Sequence, residues 1–136
     1  MGSGRAAGSA PTLLVTAGPL TVADGPTKVV TVPYTRNERG ALAGLKTTSY
    51  AENVKALADA ERQGASEALF ANTVGNLCEG TGTNVFVGLD GRLVTPPVSS
   101  GCLAGITREL VLEALEGAGR PAVVEDVPMA RLAEAE

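Results

Sequence analysis

Apolar residues along this chain fall in short runs broken by Gly, Pro and Asn, and two longer stretches repeat at helical spacing. Residues 12–17 (Thr-Leu-Leu-Val-Thr-Ala) and 28–32 (Lys-Val-Val-Thr-Val) have strand composition, the second closed by Pro33. Gly18-Pro19 and Asp24-Gly25-Pro26 are breakers between them, and residues 34–44 read as a polar loop holding Arg36, Asn37, Glu38 and Arg39. Ser49-Tyr50-Ala51-Glu52 has the spacing of a capping box. It predicts a helix over residues 50–63 that carries Tyr50, Val54, Leu57, Ala58 and Glu61 along one side, with Gly64 just past its end. Strands follow at 67–72 and 77–79 around the turn Thr73-Val74-Gly75-Asn76, then at 83–87 and 92–94 around Asp90-Gly91. Residues 95–105 form a loop stiffened by Pro96-Pro97, and residues 106–116 form a second amphipathic helix, stopped by Gly117 and Gly119. A last strand within 121–127 leads to a short helix opened by Pro128. The expected fold is α/β, a mixed curved sheet with flanking helices packed outside it.

Residues 1–11 are rich in Gly, Ser and Ala and are expected to be a flexible segment. The remainder is long enough for one domain with its own core. With 136 residues but only two Tyr, two Phe and no Trp, that core must rest on Val, Leu and Ala. A formal net charge of −4 argues against a nucleic-acid partner. No apolar run is long enough to span a membrane and no secretory leader is evident, so a cytoplasmic location is expected. The absence of His excludes His-based catalysis and the common zinc patterns, and no metal is expected. Cys78 and Cys102 read as small buried residues of a reducing compartment.

The stretch from Glu79 to Arg108 holds most of the candidate chemistry. Glu79 is a carboxylate on an otherwise small and apolar strand, and a buried carboxylate needs a partner. Gly105-Ile106-Thr107 opens a helix whose free backbone N–H groups can hold a phosphate. A ligand with a cationic ring at one end and a phosphate at the other would suit both. Lys46 lies just before the first helix; most loop lysines are solvated, but a buried one becomes a nucleophile. Gly80-Thr81-Gly82-Thr83 taken alone is a weak phosphate-loop signal and lacks the Gly-Lys-Ser/Thr ending of a nucleotide loop. Thr107 alone reads as a cap, and Arg108 could support an anion, although an arginine there is more often solvated.

The combination is more specific than its parts. Lys46-Thr-Thr-Ser-Tyr50-Ala-Glu-Asn-Val, then Gly75-Asn-Leu-Cys-Glu79-Gly-Thr-Gly-Thr-Asn84-Val-Phe86, then Thr95-Pro96-Pro97, then Leu103-Ala-Gly-Ile106-Thr107-Arg, resembles the class IV aminotransferases in order and spacing. That family includes branched-chain and D-amino-acid aminotransferases and aminodeoxychorismate lyase, all using pyridoxal 5'-phosphate. The resemblance implies that Lys46 is the catalytic lysine, holding the cofactor as a Schiff base and moving a proton. It implies that Glu79 faces the pyridine nitrogen, that Ile106 and Thr107 bind the phosphate, and that Tyr50 touches the cofactor. Asn84 has a supporting place in the motif.

The resemblance covers residues 28–136 and implies the larger, C-terminal domain of such an enzyme, truncated at both ends, so that residues 12–136 are a partial cofactor-binding domain. Members are about twice this length; their smaller domain supplies an arginine to the phosphate, and they are typically homodimers. The Lys46–Tyr50 spacing differs from the common branched-chain Lys-x-x-x-x-Tyr pattern, which favours a lyase or a general amino-acid transaminase. Small-molecule substrates would be an amino acid with a 2-oxo acid, or aminodeoxychorismate. The competing reading is an inactive fragment that retains cofactor or partner binding.

Overall fold

The computed structural model describes residues 10, 12–20 and 25–136. Nearly all of the predicted 1–11 segment lies outside the described residues. Strand β1 is Val29–Arg36, helix α1 Ala51–Arg62, β2 Glu67–Asn72 and β3 Leu77–Gly80. After these come β4 Val87–Leu89, β5 Arg92–Thr95, helix α2 Ile106–Gly117 and β6 Val123–Val124. Short 3-10 turns cover Val98–Ser100 and Met129–Glu134. The mixed α/β class holds, with the strands divided into two small sheets of order β1-β2-β3 and β4-β5-β6. In each, one neighbouring pair is parallel across a helix and the other is an antiparallel hairpin. The sheets meet where Leu77 N–H donates to Val127 O at 2.7 Å and Met129 N–H to Gly75 O at 3.0 Å.

The strand expected at 12–17 does not form, and Leu13, Leu14 and Val15 stand exposed. Strand composition alone does not make a segment pair: β1 has only β2 beside it, and its other edge stays open. Pro33, expected to close β1, lies inside it instead. It has no N–H to donate, and the pairing skips there: Thr31 faces Leu69 and Thr35 faces Ala71, with a bulge between. The strand continues through the bulge, so Tyr34, Thr35 and Arg36 are strand rather than loop. Val30, Val32, Tyr34 and Arg36 alternate inward at the period of two.

Helix α1 covers that inward face. Its buried side is Ala56 and Ala60, one turn apart, and not the Tyr50–Val54–Leu57 side expected from the larger apolar residues; Val54 is exposed. Small side chains let the helix approach the sheet closely, above Val32, Ala68 and the fully buried Phe70. Replacing Ala60 with Leu should therefore overpack this layer and lower stability by about 1–3 kcal/mol, read from the denaturant midpoint of the purified chain. The helix ends as predicted, with Gly64 at φ 68°. Gly64 N–H donates to Glu61 O and Ala65 N–H to Ala60 O, the paired bonds of a Schellman cap. Helix α2 ends the same way at Gly119, so Gly117 is within the helix.

The capping box at the start of α1 does not form. Tyr50 is the N-cap and no side chain caps the turn. Glu52 pairs with Arg36 at 3.4 Å, while Ser49 N–H donates to Thr47 Oγ1. The strand expected at 83–87 is shifted to β4, whose turn to β5 places Asp90 and Gly91 both at positive φ, 52° and 68°. A second core of Leu69, Leu77, Val87, Leu89, Val94 and Val127 fills the space between the sheets. Along α2 the one buried residue is Arg108, and Ile106 and Leu110 are exposed.

Candidate functional site

Glu79 sits on β3 directly opposite Phe70 of β2 and is 8% exposed. Its Oε2 accepts Leu103 N–H at 2.9 Å, and its Oε1 stands 3.5 Å from Arg36 Nε. Burial pushes its carboxyl above the ordinary carboxylate range, against the pull of the Leu103 N–H and the positive charges of Arg36 and Lys46. A carboxylate held in this way gains from any further cation that reaches it.

Arg36 stands beside Glu79, a place that its reading as part of a polar loop does not anticipate. Its guanidinium lies 4.1 Å over the Phe70 ring centre, donates to Asn53 Oδ1 at 2.9 Å, and leaves Nε buried without a hydrogen-bond partner. Asn53, on the first turn of α1, donates in turn to Thr81 O. The alternation Val30, Val32, Tyr34, Arg36 is the available signal, obscured when Pro33 is taken as a strand end.

Lys46 is exposed rather than buried, and its Nζ donates to Tyr50 Oη at 2.7 Å. The lysine lies on the loop before α1 and the tyrosine at the N-cap, so the tight turn at Thr48–Tyr50 sets both.

Across from them, Leu103 connects Glu79 to the entrance of α2. Its N–H is bound by Glu79 and its carbonyl accepts Asn84 Nδ2 at 2.9 Å. Asn84 Oδ1 crowds Gly105, where a Cβ would collide with it. Gly105 is the extended N-cap of α2, and no side chain caps that helix. The first-turn N–H groups at Ile106 and Thr107 have no intrahelical acceptor by geometry and carry the positive end of the helix dipole. Arg108, expected to be solvated, is buried: one terminal nitrogen donates to Pro96 O at 3.0 Å and its Nε is without a partner. The carbonyls of the Pro96-Pro97 loop thus turn inward, to Arg108 and to the Cys102 thiol. Cys78 and Cys102 are both free and buried, as expected, and burial pushes the Cys78 thiol up to about 12.

One cavity of about 660 Å³ gathers these groups. Lys46, Tyr50, Glu79, Ile106 and Thr107 all line it, together with Asn53, Asn84, Arg108 and the Gly80–Thr83 loop. The structure therefore brings the five candidate site residues Lys46, Tyr50, Glu79, Ile106 and Thr107 to one place. A basic amine and a buried carboxylate share it with an uncapped helix N-terminus.

The family model for amino-transferase class IV matches residues 1–136. The chain belongs to the class IV aminotransferases. It is 35% identical over 147 residues to branched-chain-amino-acid aminotransferase 6 of Arabidopsis thaliana, covering 100% of this chain and 41% of that protein. The crystal structure of a putative 4-amino-4-deoxychorismate lyase from Legionella pneumophila superposes with a TM-score of 0.81 at 28% identity, over 85% of this chain and 43% of that one. The branched-chain amino acid aminotransferase from Thermobaculum terrenum, solved in its PLP-form, superposes with a TM-score of 0.76 at 33% identity, over 82% of this chain and 38% of that one. The chain thus spans well under half the length of these relatives. Among the described residues, no helix is long and apolar enough to cross a membrane.

Proposed function

We propose that the protein is a pyridoxal-phosphate-dependent enzyme. It would exchange an amino group between an amino acid and a 2-oxo acid, or release pyruvate from aminodeoxychorismate. The observation that carries this reading is the single cavity shared by the Lys46 amine, the buried Glu79 carboxylate and the uncapped start of α2. The residues fit the cofactor chemically. Glu79, raised by burial, suits a protonated ring nitrogen. The first-turn N–H groups of α2 and the Thr107 hydroxyl suit a phosphate, with the unpartnered Arg108 Nε behind them.

Pyridoxal phosphate, when bound, supplies a carbonyl that takes up amines and a ring that withdraws electrons from a neighbouring carbon. The remaining work falls to this chain. Lys46 Nζ would be the amine that holds the cofactor's carbonyl carbon, and it would accept and return the substrate proton. Tyr50 Oη, its hydrogen-bond partner, holds Nζ in the cavity when it is free. The Glu79 carboxylate, steadied by Leu103 N–H at Oε2 and by Arg36 at Oε1, would keep a proton on the ring nitrogen. Ile106 and Thr107 hold the phosphate, and Asn84 fixes the Leu103–Gly105 approach to them.

On this reading residues 12–136 are part of a cofactor-binding domain, and the enzyme is a cytoplasmic homodimer acting on small molecules. The lyase and transaminase share every residue named, and the three named relatives fall on both sides, two aminotransferases and one putative lyase. Titrating the purified chain with pyridoxal phosphate should raise a saturable band at about 410–430 nm. Adding an amino acid should bleach the band and release its 2-oxo acid, whereas aminodeoxychorismate should yield pyruvate if the lyase activity is the native one. A titration with no saturable band would overturn the assignment.

A further inference from the structure

We infer that Glu67, which does not line the cavity, is the positioning residue that sets the Gly80–Thr83 wall of the site from behind. Its carboxylate is the hub of that loop. Oε1 accepts the backbone N–H of Thr81 and of Ala68, each at 2.8 Å, together with the Thr81 hydroxyl; Oε2 accepts the Thr83 hydroxyl at 2.9 Å. Thr81 is buried and has no polar group left over, because its carbonyl accepts Asn53 Nδ2. Gly80 admits the arrangement: a Cβ there would strike Thr83 Oγ1 and come within 2.9 Å of Glu67 Oε2. Gly80 N–H closes the loop on Thr83 O at 2.8 Å.

The consequence reaches the chemistry along two routes. Glu79 immediately precedes this loop, so the loop sets where β3 ends and how the Glu79 carboxylate is presented. Asn53, which holds the Thr81 carbonyl, also accepts from Arg36, whose Nε faces Glu79. Glu67, Thr81, Asn53 and Arg36 therefore form a continuous polar path from the back of the loop to Glu79. Burial disfavours the Glu67 carboxylate, yet the hydrogen bonds from Thr81, Ala68 and Thr83 outweigh it and hold its pKa below the usual range. The loop is thus fastened by an ionised group that accepts at both oxygens and donates at neither.

This inference rests on the cofactor reading above, and its test separates the two. Amide hydrogen exchange is measured on the apo chain, and pyridoxal phosphate affinity by titration, for the wild type, Glu67→Gln, Thr81→Val and the double variant. In Glu67→Gln, exchange should quicken at Thr81–Thr83 and not in α1, and the dissociation constant should rise about tenfold, the scale of one charged hydrogen bond. Because the two residues act through one contact, the double variant should bind no more weakly than the weaker single variant. Uniformly faster exchange in Glu67→Gln would make the residue a general stabiliser and overturn the inference. So would unchanged loop exchange, or unchanged affinity in a wild type that binds. If Glu67→Gln fails to fold, Thr81→Val carries the same two readouts, and the same results support or overturn the inference. A wild type that binds no pyridoxal phosphate removes the cofactor reading and this inference with it, whereas a fault in the inference alone leaves wild-type binding intact.

Discussion

Borohydride reduction in the presence of pyridoxal phosphate will fix one pyridoxyl group, on Lys46. The chain has only two other lysines, and the structure occupies both elsewhere. Lys28 Nζ donates to Gln63 O at 2.7 Å, and Lys55 Nζ is held by both carboxylate oxygens of Asp59 and by Tyr34 Oη. Neither lines the cavity. Lys55 must leave its ion pair with Asp59 before it can attack a carbonyl, whereas Lys46 rests against the Tyr50 hydroxyl. Lys46 also lies in the cavity with the groups suited to the ring nitrogen and the phosphate, so binding raises its effective concentration relative to any other amine. Peptide mapping should find the label on the tryptic region around Lys46, and Lys46→Ala should abolish both the label and the visible band. Label spread over Lys28, Lys46 and Lys55 in comparable yield would mean that no specific site exists. Free pyridoxal, lacking the phosphate, should label Lys46 much less efficiently, since the α2 N-terminus then has no anion to hold.

Much of the site is legible in the sequence because its key residues lie in short, ordered blocks. Glu79 follows a two-residue apolar stretch within a turn-bounded strand, and Gly105-Ile106-Thr107 is a clear helix opening. The hairpin at Asp90-Gly91 and the Gly64 stop are local chemistry, and both are present in the fold. What the sequence hides depends on contacts far apart in the chain. The exposure of Lys46 is the ordinary expectation for a loop lysine, but its hydrogen bond to Tyr50 Oη at the edge of the cavity is not written in its neighbours. Arg36 is hidden by a bulge that lets β1 pass through Pro33. Glu52 matches a capping box, but a tertiary partner, Arg36, takes its carboxylate. The burial of Arg108 follows from the inward carbonyl of Pro96, which local sequence does not disclose. Residues 12–17 have strand composition but form no strand, because pairing is a tertiary contact that composition alone does not fix. The buried face of α1 departs from the one its larger apolar residues mark, because close packing on the sheet favours alanine.

Glu79→Gln will separate catalysis from folding and from cofactor affinity. The glutamine amide has nearly the same shape and can still accept Leu103 N–H, so the loop at Leu103 keeps its anchor. The folded-state pKa of Glu79 is raised, so its contribution to stability is present below the unfolded value and is lost as pH rises through the folded value. Ionising the buried carboxylate therefore costs stability, and above its folded value the apo variant should melt no lower than the wild type. Affinity for pyridoxal phosphate should fall modestly, because the phosphate site proposed at Ile106 and Thr107 is untouched. The loss of one charge-assisted bond sets its limit at about 1.5–3 kcal/mol. The half-reaction with an amino acid should fall further, by roughly a hundredfold or more, since a neutral amide cannot hold the proton on the ring nitrogen and the withdrawal of electrons weakens where charge develops. The low-dielectric setting that raises the cost of the carboxylate when alone also strengthens its pairing with a cation. Stopped-flow absorbance on the loaded chain gives the rate, and titration gives the affinity. Equal losses in both would assign Glu79 to holding the site together rather than to the chemistry.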